Sequence, residues 1–340
     1  MRIWPDGRAK PRPEMRVLVT GAAGFAGRHL WSELRAAWPT AVVFPAARTA
    51  EAARTVDIER GVGCDLADAA AVREMLGWVR PDLVFHLAGH AATSTRDASL
   101  THRANVLATE NIAEALRALG GDPLMVATSS GAVYGDTGPE AAAPETRPLR
   151  ADGAYAGSKA AMEVVLRDAA ARGARVIVAR AFNHTGPGQS AGFAAPAFAR
   201  QIARIHLGLD APVLRVGNLG AVRDFLDVRD VVRAYRLLAE AGADPGVLDI
   251  VNVASGTGRR MESIVDDLAA CAGVSVRIEV DPELFRPVDV AFSVGDPAKL
   301  HGRTGFAPSI AWEQTLADLG DEWKARETEA ARSSGQGQNA

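Results

Sequence analysis

Thr20-Gly21-Ala22-Ala23-Gly24-Phe25-Ala26-Gly27 follows the apolar run Arg16–Thr20 (RVLVT) and leads into a helical pattern from Gly24 to Ala37, which Pro39 ends. A short β-rich run, a glycine turn and a helix start form the first half of a βαβ unit. Gly21 permits the tight turn, Gly24 lets backbone approach a ligand, and Gly27 lets the helix lie close to the strand. The helix start offers unpaired N–H groups and a partial positive charge. In this setting Gly21, Gly24, Phe25, Ala26 and Gly27 are expected to cradle the pyrophosphate of a dinucleotide. A glycine-rich turn that binds nothing is the plainer alternative.

Working outward, strand and helix patterns alternate. Ala41–Pro45, Val62–Asp65, Leu83–Leu87, Leu124–Ser129 and Arg175–Arg180 read as further strands. Ala69–Arg80, Thr101–Leu119 and Tyr155–Arg172 read as helices between them. Such alternation predicts an α/β fold, a doubly wound parallel sheet with helices on both faces. After Ala181 the rhythm breaks into a Gly/Pro-rich loop over Asn183–Gly192. Helices are expected at Ala195–Leu207, Val228–Ala241, Met261–Ala272 and Ala311–Glu327, with strands at Val213–Val216, Leu248–Val253 and Val274–Val280. Residues 15–182 with 228–254 are assigned to the dinucleotide-binding unit. Residues 183–227 with 255–325 are assigned to a smaller, discontinuous α/β cap over the carboxyl edge of the sheet, where open α/β sheets bind ligands. Residues 1–14 and 326–340 are polar and are expected to be disordered.

With 48% hydrophobic and 23% charged residues, the chain can bury a core without staples. A net charge of -3 without a basic block argues against a nucleic-acid partner. No apolar run is long enough for a bilayer, so a membrane is not expected as a partner. Cys64 and Cys271 stand far apart, and the histidines show no ligand spacing, so no metal site is expected. Two lone cysteines suit a reducing, cytoplasmic compartment.

The end of the second strand reads on cofactor choice. An acid there would hold the ribose 2′-OH of NAD, but the run is Pro45-Ala46-Ala47-Arg48. Arg48 suits the 2′-phosphate of NADP, with a solvated loop charge as the alternative; NAD is not excluded. Asp65-Leu66 follows the third strand, where a carboxylate can meet the adenine amine.

Tyr155 and Lys159 stand four residues apart, on one face of a helix. A free phenol has a pKa of about 10, too high for efficient proton transfer at neutral pH. A nearby ammonium favours the phenolate, and the same lysine can hydrogen-bond the nicotinamide ribose. Thr128-Ser129-Ser130 ends the fifth strand at the edge where the cofactor is expected, so a hydroxyl there can reach a substrate oxygen. Glycine loop, serine cluster and Tyr/Lys pair come in the order expected of one active site.

From about Arg16 to Trp323 the chain resembles the extended short-chain dehydrogenases/reductases of Rossmann type. The resemblance rests on TGAAGFAG, HLAG (His86–Gly89), Asn105, SSGAVYG (Ser129–Gly135) and YAGSK. Within that family, ARAFNHTGPGQ (Ala179–Gln189), RQIARI (Arg200–Ile205), RDFLDVRDV (Arg223–Val231) and NVASG (Asn252–Gly256) are similar to the GDP-4-keto-6-deoxy-mannose reductases. The resemblance implies that Ser130, Tyr155 and Lys159 are catalytic, and that Leu87, Ala88 and Gly89 line the cofactor. It implies that Asn183, Arg200 and Arg223 contact the nucleotide sugar, Arg223 at its diphosphate. His184, in the FNHTGPG loop, is expected to be a loop hydrogen-bonder. The resemblance further implies a homodimer, because in the family long helices such as Thr101–Leu119 and Tyr155–Arg172 pair across a two-fold axis.

The expected reaction is reduction, with NAD(P)H, of the C4 keto group of a 4-keto-6-deoxy sugar on a nucleotide, which the resemblance alone makes guanine-linked. Related 4,6-dehydratases place acidic residues just after the Ser/Thr, and here Gly131-Ala132 stands there, which argues against dehydration. A nucleotide-sugar 4-epimerase using the same residues is the first alternative. A non-catalytic NADP-binding scaffold on the same fold is the second.

Overall fold

The computed structural model describes residues 14–91, 97–284 and 290–336. Of the expected N-terminal extension only Glu14 is among them, and residues 337–340 also lie outside them.

Among the described residues the strands are β1 (Arg16–Thr20), β2 (Val42–Ala47), β3 (Val62–Gly63), β4 (Leu83–His86), β5 (Leu124–Ser130), β6 (Arg175–Ala181), β7 (Asn183–Thr185), β8 (Val213–Val216), β9 (Val222–Asp227), β10 (Leu248–Val253), β11 (Gly258–Arg260), β12 (Arg277–Val280) and β13 (Phe292–Ser293). The α-helices are α1 (Phe25–Ala37), α2 (Ala50–Arg54), α3 (Ala69–Val79), α4 (Ala98–His102), α5 (Ala108–Leu119), α6 (Gly153–Ala171), α7 (Ala194–His206), α8 (Val228–Ala241), α9 (Met261–Ala272), α10 (Ala298–Thr304) and α11 (Trp312–Gln336).

A seven-stranded sheet runs in the order β10-β6-β5-β4-β1-β2-β3, every pair parallel. The chain winds outward from β1 in both directions, as the alternation predicts. Continuous apolar runs suit strands buried on both faces. One face closes against α1 and α8 through Val17, Val19, Leu30, Val231 and Leu238. The other closes against α3, α5 and α6 through Leu18, Val72, Ile112, Met162 and Leu166. Beyond the sheet, β9 lies between β11 and β13 and also pairs with β7, and β8 pairs with β12. A third core joins α7, α9 and α11 to β8 and β9.

Several elements depart from the sequence reading. The expected single helix over Thr101–Leu119 is broken by a π turn at Arg103–Leu107. Asn105 sits inside that turn, where its side chain bridges two other segments, and π turns accommodate such offsets. The expected disordered tail instead continues α11 to Gln336. Its Glu, Ala and Arg residues favour a helix, and the Thr328 hydroxyl donates back to the Lys324 carbonyl at 2.7 Å. Polarity alone points to disorder, and helix propensity outweighs it here. Strand β9 carries no sequence expectation, because the charged pair Arg223-Asp224 and the apolar pair Phe225-Leu226 lack the strict alternation that marks a strand. Leu300 and Phe306 pack in the core of the large sheet with α8, although the sequence assigns 255–325 to the cap.

No helix among the described residues is long and apolar enough to cross a membrane. No group of three His, Cys, Asp or Glu among them could hold a metal ion.

Candidate active site

The glycine loop is shaped by backbone contacts. Gly21 has φ +71°, and a Cβ there would lie 2.7 Å from the Ala88 nitrogen. A Cβ on Gly27 would fall on the Gly21 carbonyl oxygen. At Gly24 the one atom near a Cβ is that same oxygen, at 3.1 Å, so its outer side is open. No side chain caps α1, and its first turn holds no acid. Open backbone, free N–H groups and a helix N-terminus fit the pyrophosphate of a dinucleotide. Leu87, Ala88 and Gly89 follow β4 against this loop, with Ala88 N–H donating to the Thr20 hydroxyl at 3.3 Å.

His86 fixes the seam beneath. Thr109 donates its hydroxyl hydrogen to the Asn105 carbonyl at 2.6 Å, so it accepts from His86 Nε2 at 3.0 Å. Nδ1 then accepts from the Thr20 hydroxyl at 2.8 Å. Burial, aided by the Lys159 charge, pushes the His86 pKa down to about 3, so the ring is neutral.

Arg48 stands exposed just past β2, with no hydrogen bond or ion pair among the described residues. Asp65 follows β3, accepts from Ala67 N–H at 3.0 Å and pairs with Arg103 at 3.3 Å. The Leu66 carbonyl accepts from the Asn111 amide at 2.9 Å.

Ser130 ends β5, while Tyr155 and Lys159 share α6. Burial raises the Tyr155 pKa above its ordinary value, and a hydrogen bond with Ser130 acts against that rise. The ammonium effect expected from the sequence is not what moves the phenol. Lys159 is itself buried and donates to the Thr128 carbonyl at 2.9 Å. Burial pushes its pKa down to about 8, against an upward pull from Glu163. Asn105 ties the start of α6 in place: its amide donates to Ser158 Oγ at 2.8 Å, and its oxygen accepts from His90 N–H at 2.8 Å.

Ala181, the register partner of Ser130, precedes Asn183 by two residues, so the loop that begins at Asn183 leaves the sheet beside the Ser130 hydroxyl. Asn183 and Arg223 then line one cavity of about 250 Å³ with His184, Phe193, Phe225 and Met261. Arg223 is half-buried, and burial lowers its pKa while Asp136 pulls it upward. His184 donates from Nδ1 to the Phe182 carbonyl at 3.1 Å and stacks on Phe25, centroids 6.0 Å apart. Arg200 is placed elsewhere. Its side chain, 49% exposed, pairs with Glu327 at 2.7 Å and is not part of the cavity wall. The RQIARI segment puts it on the α11 side of α7, so a substrate role is not supported by this geometry.

A buried polar network behind Ser130, Tyr155 and Lys159 escapes the sequence reading. Ser129 donates to Glu163 at 2.6 Å, Arg180 to Tyr134 at 2.7 Å, and Tyr134 to Asn252 at 2.8 Å. Glu163 lies one turn past Lys159, and an acid on the buried face of a helix is the signal that could have exposed it.

Residues 17–254 match the family described as NAD dependent epimerase/dehydratase. GDP-6-deoxy-D-mannose reductase of Pseudomonas aeruginosa is 37% identical over 320 residues, 92% of this chain and 98% of that protein. The structure of RMD from Pseudomonas aeruginosa complexed with NADPH superposes with a TM-score of 0.80 at 35% identity, covering 92% of this chain and 99% of that one. The UDP-glucose 4-epimerase of Thermus thermophilus in complex with NAD gives 0.79 at 31% identity, covering 91% and 99%.

Proposed function

The chain belongs to the NAD dependent epimerase/dehydratase family, the extended short-chain dehydrogenases/reductases, and from that premise we propose that it is an NADPH-dependent reductase of the C4 ketone in a GDP-linked 4-keto-6-deoxy-mannose. The observation that carries this reading is end-to-end similarity to a GDP-6-deoxy-D-mannose reductase, 37% identical over 98% of that protein. Ser130, Tyr155 and Lys159 supply the matching chemistry.

NADPH, when bound, supplies the hydride. Tyr155, kept protonated by burial, gives its proton to the oxygen of the reduced carbonyl. Ser130 donates a hydrogen bond to the same oxygen as charge develops. Lys159, anchored on the Thr128 carbonyl, favours the phenolate left behind. Asn183 and Arg223 hold the nucleotide diphosphate, so binding far from the carbonyl orients it. Gly131-Ala132 places no carboxylate beside Ser130, which argues against dehydration.

The reading includes a cytoplasmic homodimer built on α5 and α6, where Val164 is 66% exposed. Light scattering at micromolar concentration tests it, and a monomer overturns it. The activity test is NADPH absorbance decay with freshly made GDP-4-keto-6-deoxy-mannose. Rapid oxidation is expected, and NMR of the product gives its configuration. Absence of oxidation by protein that binds NADPH overturns the substrate assignment. Nicotinamide cofactor retained through purification, together with interconversion of a nucleotide sugar and its C4 epimer, would point instead to the epimerase.

A further inference from the structure

Phe25 opens α1, next to Gly24 in the glycine turn, and His29 follows one turn later. Their rings meet edge to face, with centroids 5.5 Å apart. Phe25 also stacks on His184, the two ring planes within 7° of parallel. His29 donates from Nε2 to the Pro187 carbonyl at 2.8 Å. A Cβ at Gly188 would lie 3.8 Å from the Phe25 ring and 3.9 Å from His29 Nε2. The first turn of α1 therefore grips the segment from His184 to Gly188. From the other side, the Gly188 N–H donates to Glu322 of α11 at 2.6 Å.

The gripped segment is braced within itself. The Thr185 hydroxyl donates to Gln189 at 2.7 Å, and the Gln189 amide donates to the His184 carbonyl at 3.1 Å. Asn183, His184 and Gln189 all line the cavity assigned to the nucleotide sugar. Asn183–Thr185 also pairs with β9, the strand that carries Arg223. Burial lowers the His184 pKa, so its ring packs on Phe25 uncharged. A chain of direct contacts thus runs from the dinucleotide turn to the substrate wall. A pyrophosphate held by the N–H groups at the start of α1 orders the turn that presents Phe25. Order imposed by one ligand need not be imposed again by the second.

We propose that Phe25 and His29 position the wall of the substrate cavity and couple it to the dinucleotide turn, so that NADPH strengthens nucleotide-sugar binding. The inference rests on the nucleotide-sugar reading above and adds the coupling to it. Such coupling is reciprocal, so the nucleotide sugar strengthens NADPH binding by the same factor.

Calorimetric titration of the full chain with GDP, alone and at saturating NADPH, tests this. GDP should bind at least about fivefold tighter when NADPH is present. In His29→Leu, which loses the donor to Pro187, the ratio of the two affinities should fall to about one. His29→Gln, which keeps an N–H donor of similar reach, should retain the wild-type ratio. A merely structural role would weaken GDP binding alike with and without NADPH and leave the ratio unmoved. A folded His29→Leu protein with the wild-type ratio therefore overturns the proposal. If that variant does not fold, Phe25→Leu, which keeps apolar bulk and loses the stacked ring, is read by the same ratio. Equal GDP affinity with and without NADPH in the wild type overturns this inference alone. A wild type that binds no GDP in either state overturns the nucleotide-sugar reading, and this inference with it.

Discussion

Glu163 and Arg180 meet through two hydrogen bonds, 2.9 and 2.6 Å long, with their side chains only 2% and 3% exposed. Glu163 comes from α6, one turn beyond Lys159, and Arg180 from β6. The same carboxylate accepts the Ser129 hydroxyl, so the segment carrying Ser130 is tied to the helix carrying Tyr155 and Lys159. A buried pair of this kind is weak evidence for stability, since desolvation opposes the attraction. Its place gives it a positioning role: it fixes the end of β5 that carries Ser130 relative to the helix that carries Tyr155 and Lys159, and puts one negative charge near Lys159.

The same charge bears on pH dependence. The Lys159 pKa lies at about 8, and Glu163 pulls it upward. Glu163→Gln removes the pull, so Lys159 loses its proton at lower pH. If the ammonium is the active form, activity declines as pH rises through the Lys159 value. The alkaline limb of the kcat profile should therefore move to lower pH in Glu163→Gln. Profiles of wild type and variant, each checked for folding by circular dichroism, decide the matter. An unshifted limb would mean that Glu163 acts only as a brace.

Tyr155 carries the proton in the proposed reaction. Tyr155→Phe removes the donor and keeps the ring, and a positioned acid is worth about 100- to 10,000-fold. Turnover should fall within that range, measured by NADPH oxidation, while NADPH affinity followed by fluorescence stays near wild type. Normal turnover would reassign the acid.

Much of this architecture was legible in the sequence, because buried parallel strands read as continuous apolar runs and the glycine turn has a single geometric explanation. Gly21 and Gly27 perform the turn and the close approach expected of them. The places of Ser130, Tyr155 and Lys159, at the end of β5 and on α6, were legible because each stands near the end of a recognisable element. What stayed hidden depends on tertiary partners. Arg200 resembles a ligand residue in its segment, yet Glu327, more than a hundred residues away, captures it. Glu163 and Arg180 look like ordinary charges until folding buries them together. The upward shift of Tyr155 shows the same limit, since helical spacing brings Lys159 near but does not reveal how deeply the phenol is buried.

Cofactor preference should rest on Arg48. It is exposed, it is free of partners among the described residues, and it leaves the strand where the adenosine ribose is expected. Arg48→Ala should weaken NADPH by about tenfold or more through the lost charge-assisted contact, and leave NADH nearly unchanged. The ratio of kcat/KM for the two cofactors is the readout. A ratio that does not move would place the 2′-phosphate elsewhere.

His86 should make the fold sensitive to acid. Its pKa is about 3 in the folded chain against 6.5 for the ordinary side chain. A depressed histidine contributes stability that is present above the unfolded value and lost as pH falls, because the unfolded chain takes up a proton the folded one refuses. The window is therefore about 6.5 down to 3. Between pH 7 and pH 5 this single group should cost about 2 kcal/mol. His86→Gln removes the titration, although it also loosens the Thr20 and Thr109 bonds and lowers stability at pH 7. Urea unfolding at the two pH values should give a smaller acid-induced loss in the variant than in the wild type. Equal losses would mean that His86 is not the buried group that acid attacks.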